Sequence, residues 1–144
     1  MKRLFLILTC LLFVACAPPD DNHGYGYEYD NLDEETGLRE RGFSSYLAGA
    51  RTAEELGADY LALANCGGFE RTRPAPLIIF VKGEVLKNGA RVYGLYFRDT
   101  LTAVVSMDSS HKRKTVNHEL MHHLNNINKT NDGHNSEHFT NCVN

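Results

Sequence analysis

The amino-acid sequence predicts one α+β domain, in which a helical stretch comes first, a short sheet follows and a second helix comes last. The first observation is a stretch rich in Ala, Leu and Glu, from Arg39 to Ala64, whose apolar residues recur at helical spacing. The second is a change to short apolar runs bounded by Gly and Pro, between residues 74 and 107. The third is a return to helical spacing after Thr115. Helices that precede and follow a group of strands are typical of the α+β class.

The first 16 residues predict export. Two basic residues precede an apolar run, Leu4 to Val14, which is too short to remain as a membrane-spanning helix. The run ends in Leu12-Phe13-Val14-Ala15-Cys16, which resembles the lipobox of bacterial lipoprotein precursors. The resemblance implies a lipid on Cys16 and an anchored protein of the cell envelope, at the outer membrane or the periplasmic face. The alternative is ordinary signal-peptide cleavage after Ala15 or Ala17, which would give a secreted protein.

Residues 17–36 are predicted to form a flexible tether, because Gly, Pro, Asp and Tyr dominate and aliphatic residues are nearly absent. The folded domain is then expected to span residues 37–144, as a monomer. Removal of Lys2 and Arg3 changes the formal charge from -3 to -5, since 15 basic residues become 13 against 18 acidic ones. Basic residues cluster only at Lys112-Arg113-Lys114, so nucleic acid is not an expected partner.

The strands are predicted from short apolar runs and turn residues. The preceding helical stretch forms either one helix or two pieces broken near Gly57. Leu77 to Val81 is predicted as a buried strand. Arg91 to Phe97 is predicted as the second strand, after a turn at Lys87-Asn88-Gly89, and Leu101 to Met107 as the third. The resulting sheet is expected to be short and mixed or antiparallel.

Cysteine usage predicts one disulfide in the folded domain. Cys10 leaves with the signal segment, and Cys16 would carry the lipid. Two cysteines remain, Cys66 and Cys142. Because an exported domain is in an oxidising compartment, an even number of cysteines predicts that these two are bonded to each other. Such a bond would fix the C-terminal segment to the body of the domain.

The predicted second helix carries an H-E-x-x-H motif, His118-Glu119-Leu120-Met121-His122. Residues four apart project from one side of a helix, so His118 and His122 can offer two imidazole nitrogens to one metal ion. Glu119 is offset from them and is placed to reach a water rather than the metal. The apolar residues of this helix fall on a different arc: Val116, Leu120, Leu124 and Ile127. The helix is therefore expected to pack on a core and to turn its histidines toward a cleft.

The order of helix, short sheet and H-E-x-x-H helix resembles the zincin metallopeptidases, over the segment from about Leu77 to His122. The resemblance implies a small zincin-like domain that binds a peptide or protein substrate in extended form along an edge strand. It also implies one Zn²⁺ ion held by His118 and His122. Glu119 would be the general base that takes a proton from a zinc-activated water and passes it to the leaving amine.

A third zinc ligand is required, because catalytic zinc usually takes three ligands from the protein. The elongated metzincin motif is excluded, since Asn125 and Asn128 stand where it needs Gly and His. His134 is favoured as the third ligand, because the preceding Asp-Gly turn can return the chain to the helix. His138 and Glu137 are the alternatives.

The function expected from these observations is that of an exported, membrane-anchored zinc metallopeptidase. Tyr93, Tyr96 and Arg98 could polarise a substrate carbonyl if their strand borders the cleft. His123 is expected at the surface or at the edge of the core. Two alternatives remain: a non-catalytic, zinc-stabilised binding or structural lipoprotein, and a metal-capturing lipoprotein. The second alternative is suggested by the histidines, since six of the seven lie in the last quarter of the chain.

Overall fold

The computed structural model describes residues 29–42, 52–107 and 112–143. The predicted signal segment, the lipidation at Cys16 and residues 17–28 of the predicted tether lie outside the described residues. The described part is a mixed α+β fold with three helices and a mixed sheet. The predicted α+β class is therefore confirmed.

The main sheet has five strands in the order β1-β2-β3-β7-β6, and β4 and β5 form a separate hairpin. The three central strands, β2, β3 and β7, run parallel, while β1 and β6 are antiparallel edges. The elements, in chain order, are β1 (Tyr29–Leu32), β2 (Arg39–Gly42), α1 (Ala53–Gly67), β3 (Leu77–Val81), β4 (Val85–Lys87), β5 (Ala90–Val92), β6 (Gly94–Phe97), β7 (Thr102–Ser106), α2 (Lys112–Asn128) and α3 (Glu137–Cys142).

The core lies between the sheet and the helices. Ile78 and Phe80 of β3 alternate with half-buried neighbours and face the core, as do Ala103 and Val105 of β7. Their partners on α2 are apolar and wholly or nearly buried: Val116, Leu120, Met121 and Leu124. The strands predicted for β3 and β7 are confirmed, because each is a short apolar run whose hydrophobic pattern is set locally.

The predicted start of the folded domain, at residue 37, is wrong. Residues 29–32 form β1, which pairs with β2, so this part of the predicted tether belongs to the sheet. Thr36 and Leu38 in the connection are buried. Ordering of this polar segment comes from backbone pairing with a neighbouring strand, which apolar composition does not report.

The predicted helix from Arg39 to Ala64 is corrected at its start, because residues 39–42 are strand β2. Residues 43–51 of the prediction lie outside the described residues, and α1 covers Ala53 to Gly67. A capping box starts α1: the Thr52 hydroxyl accepts from the Glu55 N–H, and the Glu55 carboxylate accepts from the Thr52 N–H. The helix passes through Gly57 without a break. A Cβ there would lie 2.0 Å from Asp33 Oδ2, so Gly57 permits close packing on the β1–β2 turn.

The predicted strand from Arg91 to Phe97 is divided in two. Residues up to Val92 pair with β4, and residues from Gly94 pair with β7. The single predicted strand therefore changes partner at Tyr93, a non-local event that its own residues do not signal.

Cys66 and Cys142 lie at disulfide distance, with sulfur atoms 2.15 Å apart, as predicted. The bond joins the last turn of α1 to the last turn of α3, and it therefore fixes α3 against the domain. Among the described helices, none is both long enough and apolar enough to cross a bilayer.

Candidate metal centre

Three histidines converge at the surface of α2. His118 and His122 are one helical turn apart, with ring centroids separated by 4.9 Å. His134 lies beyond the helix and joins them, so that one nitrogen from each of the three rings lies within 4.8 Å of the others. The group could hold a metal ion. Among the three candidates for a third ligand, His134 is the residue that the fold brings to this position.

The chain returns to α2 because the helix ends in a tight turn. Lys129 has a left-handed backbone (φ 56°), and the Thr130 N–H donates to the Asn125 carbonyl at 3.0 Å. The Asn131 side chain then accepts from the Gly133 N–H at 2.9 Å. These local bonds place the ring of His134 beside His122, with 3.0 Å between the two Nε2 atoms.

The separation between the nitrogens of His122 and His134 is compatible with a tetrahedral ion. Two nitrogens bound at 2.0–2.1 Å to tetrahedral zinc are about 3.3 Å apart, close to the 3.0 Å between His122 and His134. A carboxylate fixes the tautomer of His122, because its Nδ1 lies 2.6 Å from Asp132 Oδ1 and must donate to it. The lone pair of Nε2 is then directed to the group. The other oxygen of Asp132 accepts from the Arg98 guanidinium.

Two of the three imidazoles are held in the neutral form that binds metals. Burial lowers the pKa of His118 to about 4, and the neighbouring rings of His122 and His134 lower it further, while Asp132 opposes the shift. Burial also lowers the pKa of His122, although its bond to Asp132 acts in the opposite direction. Neutral rings carry no proton that an incoming ion must displace.

Glu119 lies beside the histidines and is nearly inaccessible to solvent, with 5% of its surface exposed. Burial raises the pKa of its carboxyl to about 8, while the charge of Lys87 and a hydrogen bond from the Tyr96 backbone N–H act against this shift. Strand β6 comes this close because its first residue is glycine. A Cβ on Gly94 would lie 2.6 Å from Glu119 Oε1 and 2.8 Å from Thr115 Cγ2.

An apolar ring forms the inner wall of the histidine group. Phe139 of α3 is buried, and its centroid lies 4.9 Å from that of His118, 4.8 Å from His122 and 5.3 Å from His134. The ring excludes water from one side of the group. Because the disulfide fixes the end of α3, it also restrains the helix that carries this ring.

The other two candidates for the third ligand lie outside the group. The Nδ1 of His138 donates to Asn125 Oδ1 at 2.6 Å, and its ring packs on Phe69 with centroids 4.5 Å apart. Glu137 is exposed in the first turn of α3. Neither residue has a ligand atom in the histidine group.

His123 is wholly buried, so its expected position at the surface or core edge is wrong. Its Nε2 donates to the Pro74 carbonyl at 2.8 Å, and its Nδ1 must therefore accept from the Tyr96 hydroxyl at 2.9 Å. The Tyr96 oxygen in turn accepts from Asn126 Nδ2 at 3.1 Å. The hydroxyl hydrogen of Tyr96 thus points to the interior, which argues against its expected use in polarising a substrate carbonyl.

An open cleft of about 700 Å³ passes over the histidine group and Glu119. One wall is β6, whose outer edge pairs with no other described strand. The Tyr93 carbonyl accepts from the Ser106 N–H, so the alternation of an antiparallel pair directs the backbone groups of Gly94 and Tyr96 to the open side. Tyr93, Tyr96 and Arg98 line the cleft, as expected if their strand borders it.

Sequence reasoning missed three residues of the site. Asp132 was identified only as part of a turn before Gly133, and its bond to His122 depends on a loop conformation that spacing does not show. Gly94 and Phe139 contribute through contacts between distant segments, for which the sequence has no signal. Comparison of the chain with family models, curated proteins and solved structures finds no match. Its function must therefore be inferred from the site itself.

Proposed function

We propose that this protein is a zinc-dependent metallopeptidase of the zincin type. The observation that carries the proposal is the convergence of three imidazoles beside a buried carboxyl, in an open cleft bordered by a strand edge. Each part alone has other uses, since histidine groups bind metals in structural sites as well. The combination matches what hydrolysis of an amide needs: a metal, a base and a place to hold an extended chain.

The proposed zinc ligands are His118, His122 and His134. A set of three imidazoles is typical of zinc sites that keep a coordination position open, whereas structural zinc is closed by four protein ligands. Zinc, when bound, supplies a Lewis acid that activates water and polarises a carbonyl group. Asp132 keeps the His122 ring in orientation through Nδ1, an arrangement found widely around zinc-bound histidines.

Glu119 is the proposed general base. Its carboxylate would accept a proton from the attacking water and release it to the leaving amine. Its place in the cleft beside His118 and His122 favours this role, because a general base must lie within reach of the water whose proton it takes. The bond from the Tyr96 N–H holds the carboxyl against β6, next to where a substrate strand would lie.

The substrate is proposed to be a peptide that adds to β6 as an antiparallel strand. The outward-facing N–H and carbonyl of Gly94 and the carbonyl of Tyr96 offer a donor and acceptors for such pairing, while the Tyr96 N–H is engaged by Glu119. A peptide held in this way would pass directly over Glu119 and the histidine group, since both line the same cleft. The chain is further proposed to act from the bacterial cell envelope, anchored by lipid on Cys16.

The metal-capture alternative is disfavoured by the two other histidines that the structure describes, His123 and His138. A capturing protein needs several open imidazoles, whereas the rings of His123 and His138 are engaged in internal hydrogen bonds. A purely structural zinc site is disfavoured by Glu119, because a buried carboxyl lowers stability and such a site has no use for it.

The test is zinc content and peptide hydrolysis of purified variants. One zinc per wild-type chain is expected by elemental analysis, and His134→Ala should lose it while His138→Ala, the matched control, retains it. Glu119→Gln should retain zinc and lose hydrolysis by about a thousandfold or more. Hydrolysis at the wild-type rate by Glu119→Gln would refute the mechanism. Zinc-loaded wild type that cuts no peptide in a diverse mixture would favour the non-catalytic alternative.

A further inference from the structure

Two lysines stand at one end of the cleft. Lys87 ends strand β4 in the hairpin that leads into β6, and Lys114 lies in the first turn of α2. Both line the cleft. Glu119 and His118 line the same cleft. Both lysines therefore border the space that a bound peptide would occupy.

The position of Lys114 does not serve the stability of its helix. The first turn of a helix favours acidic side chains, but α2 has none there and instead begins with Lys112, Arg113 and Lys114. Arg113 has a structural partner, because its guanidinium pairs with Asp59 of α1 at 3.0 Å. Among the residues that the structure describes, no carboxylate lies within ion-pair distance of Lys87 or Lys114.

The other end of the cleft carries a compensated cation. Arg98, just after β6, pairs with Asp132. Of the two acidic residues that line the cleft, Asp132 is thus engaged by Arg98 and His122, and Glu119 is assigned to proton transfer. Among the described residues, the positive charge of the cleft that has no carboxylate within ion-pair distance therefore lies at the lysine end.

The direction of β6 determines which part of a bound peptide would meet that charge. Gly94 lies against Thr115 and Glu119, and the Tyr96 hydroxyl bonds to His123 and Asn126, so β6 and α2 advance in the same direction. A strand added antiparallel to β6 would enter at the Arg98 end and leave at the lysine end. Residues on the carboxyl side of the bond above Glu119 would then lie near Lys87 and Lys114.

We propose that Lys87 and Lys114 select peptides that carry an acidic side chain, or a terminal carboxylate, directly after the bond to be cut. The inference rests on the proposed peptidase function and adds the substrate class to it. A carboxylate at this place gains attraction in a partly enclosed cleft, and anionic peptides are also drawn toward the site from solution.

The test measures binding separately from hydrolysis, in the full chain carrying Glu119→Gln and loaded with zinc. Three octapeptides share one core and differ only around the central bond: Gln on both sides, Glu at the two positions after it, or Glu at the two positions before it. Fluorescence anisotropy should show about tenfold tighter binding of the peptide with Glu after the bond than of the Gln peptide. The affinity of the peptide with Glu before the bond should differ from that of the Gln peptide by less than about twofold.

The preference should disappear in Lys87→Met/Lys114→Met and persist in Lys82→Met, an exposed lysine outside the cleft lining. It should also weaken strongly between 0.05 and 0.5 M NaCl, since screening acts on charge pairs. Thermal melting of each variant establishes that it is folded.

Equal affinity for the three peptides, or no measurable binding of any, would overturn the substrate class. Preference for Glu before the bond would overturn the direction of the bound strand. The peptidase function fails by a different result: zinc-loaded wild type binds the favoured peptide selectively and leaves it intact. Hydrolysis of all three peptides at equal rates would support the proposed peptidase function but contradict the proposed preference for acidic residues.

Discussion

Replacement of Glu119 by Gln is expected to stabilise the metal-free protein, by an amount that grows with pH. The carboxyl is 95% shielded from solvent, and its burial raises the pKa from 4.5 to about 8. The folded state therefore carries a proton that the unfolded chain has lost at neutral pH. Gln has nearly the same size, needs no proton, and can still accept the Tyr96 N–H.

The sign and the size of this change in the free energy of unfolding follow from the linkage between proton binding and folding. A group whose pKa is raised on folding favours the folded state fully below pH 4.5, and this contribution is lost as pH rises through 8. Each pH unit within this window costs about 1.4 kcal/mol. The carboxyl therefore costs about 1 kcal/mol at pH 5, about 3 kcal/mol at pH 7 and about 4 kcal/mol at pH 8.

The assay is urea unfolding followed by circular dichroism, in EDTA, at pH 5, 6, 7 and 8. The free energy of unfolding of Glu119→Gln should exceed that of wild type by a margin that widens with pH as stated. Glu70→Gln, an exposed control, should stay within about 0.5 kcal/mol of wild type at every pH. A margin that does not change with pH, or a variant less stable than wild type at pH 8, would refute the burial argument.

Three other substitutions test the surroundings of the site. Burial lowers the pKa of His123 to about 4, so the free energy of unfolding of the protein should fall by up to about 3 kcal/mol as pH falls from 6.5 to 4. In His123→Leu this dependence of the free energy on pH should become weaker, and an unchanged dependence would contradict the reasoning. Gly94→Ala should destabilise the fold by about 1–3 kcal/mol in urea unfolding, since its methyl meets Glu119; a neutral effect would mean that β6 can move away. Asp132→Asn should weaken zinc binding about 10- to 100-fold in chelator competition, while Asp99→Asn, an exposed control, should not.

The sequence predicted those elements whose signal is local. Strand β3 and strand β7 are apolar runs between turn residues, and α2 shows its apolar stripe directly, so each could be located before the structure was known. Strand β2 could not, because Arg39-Glu40-Arg41-Gly42 is polar and becomes a strand only by pairing between β1 and β3. The hydrophobic period of a strand can be read from its own residues, but the strand with which it pairs cannot be predicted from them.

The residues of the candidate site also fall into those that the local sequence predicts and those that depend on the fold. His118, Glu119 and His122 were recognised because helical geometry fixes their relation, whatever the rest of the chain does. His134 was favoured over two nearby alternatives because a turn precedes it. The bond of Asp132 to His122 was not foreseen, since it depends on how that turn is oriented over the helix.

Two polar contacts tie the edge strand to the histidine helix. At one point the Tyr96 N–H donates to Glu119, and at the other Asp132 joins Arg98, just beyond β6, to His122. The glycine at the start of β6 allows the two elements to approach closely enough for both contacts. Residues of β6, α2 and the loop after α2 therefore set the separation between the strand edge and the histidine group together. Of these residues, only Glu119 and His122 belong to the H-E-x-x-H motif. A motif of five residues can thus indicate the proposed chemistry. The distance between a bound peptide and the histidine group, however, would be determined by residues of the strand and of the loop that follows the helix.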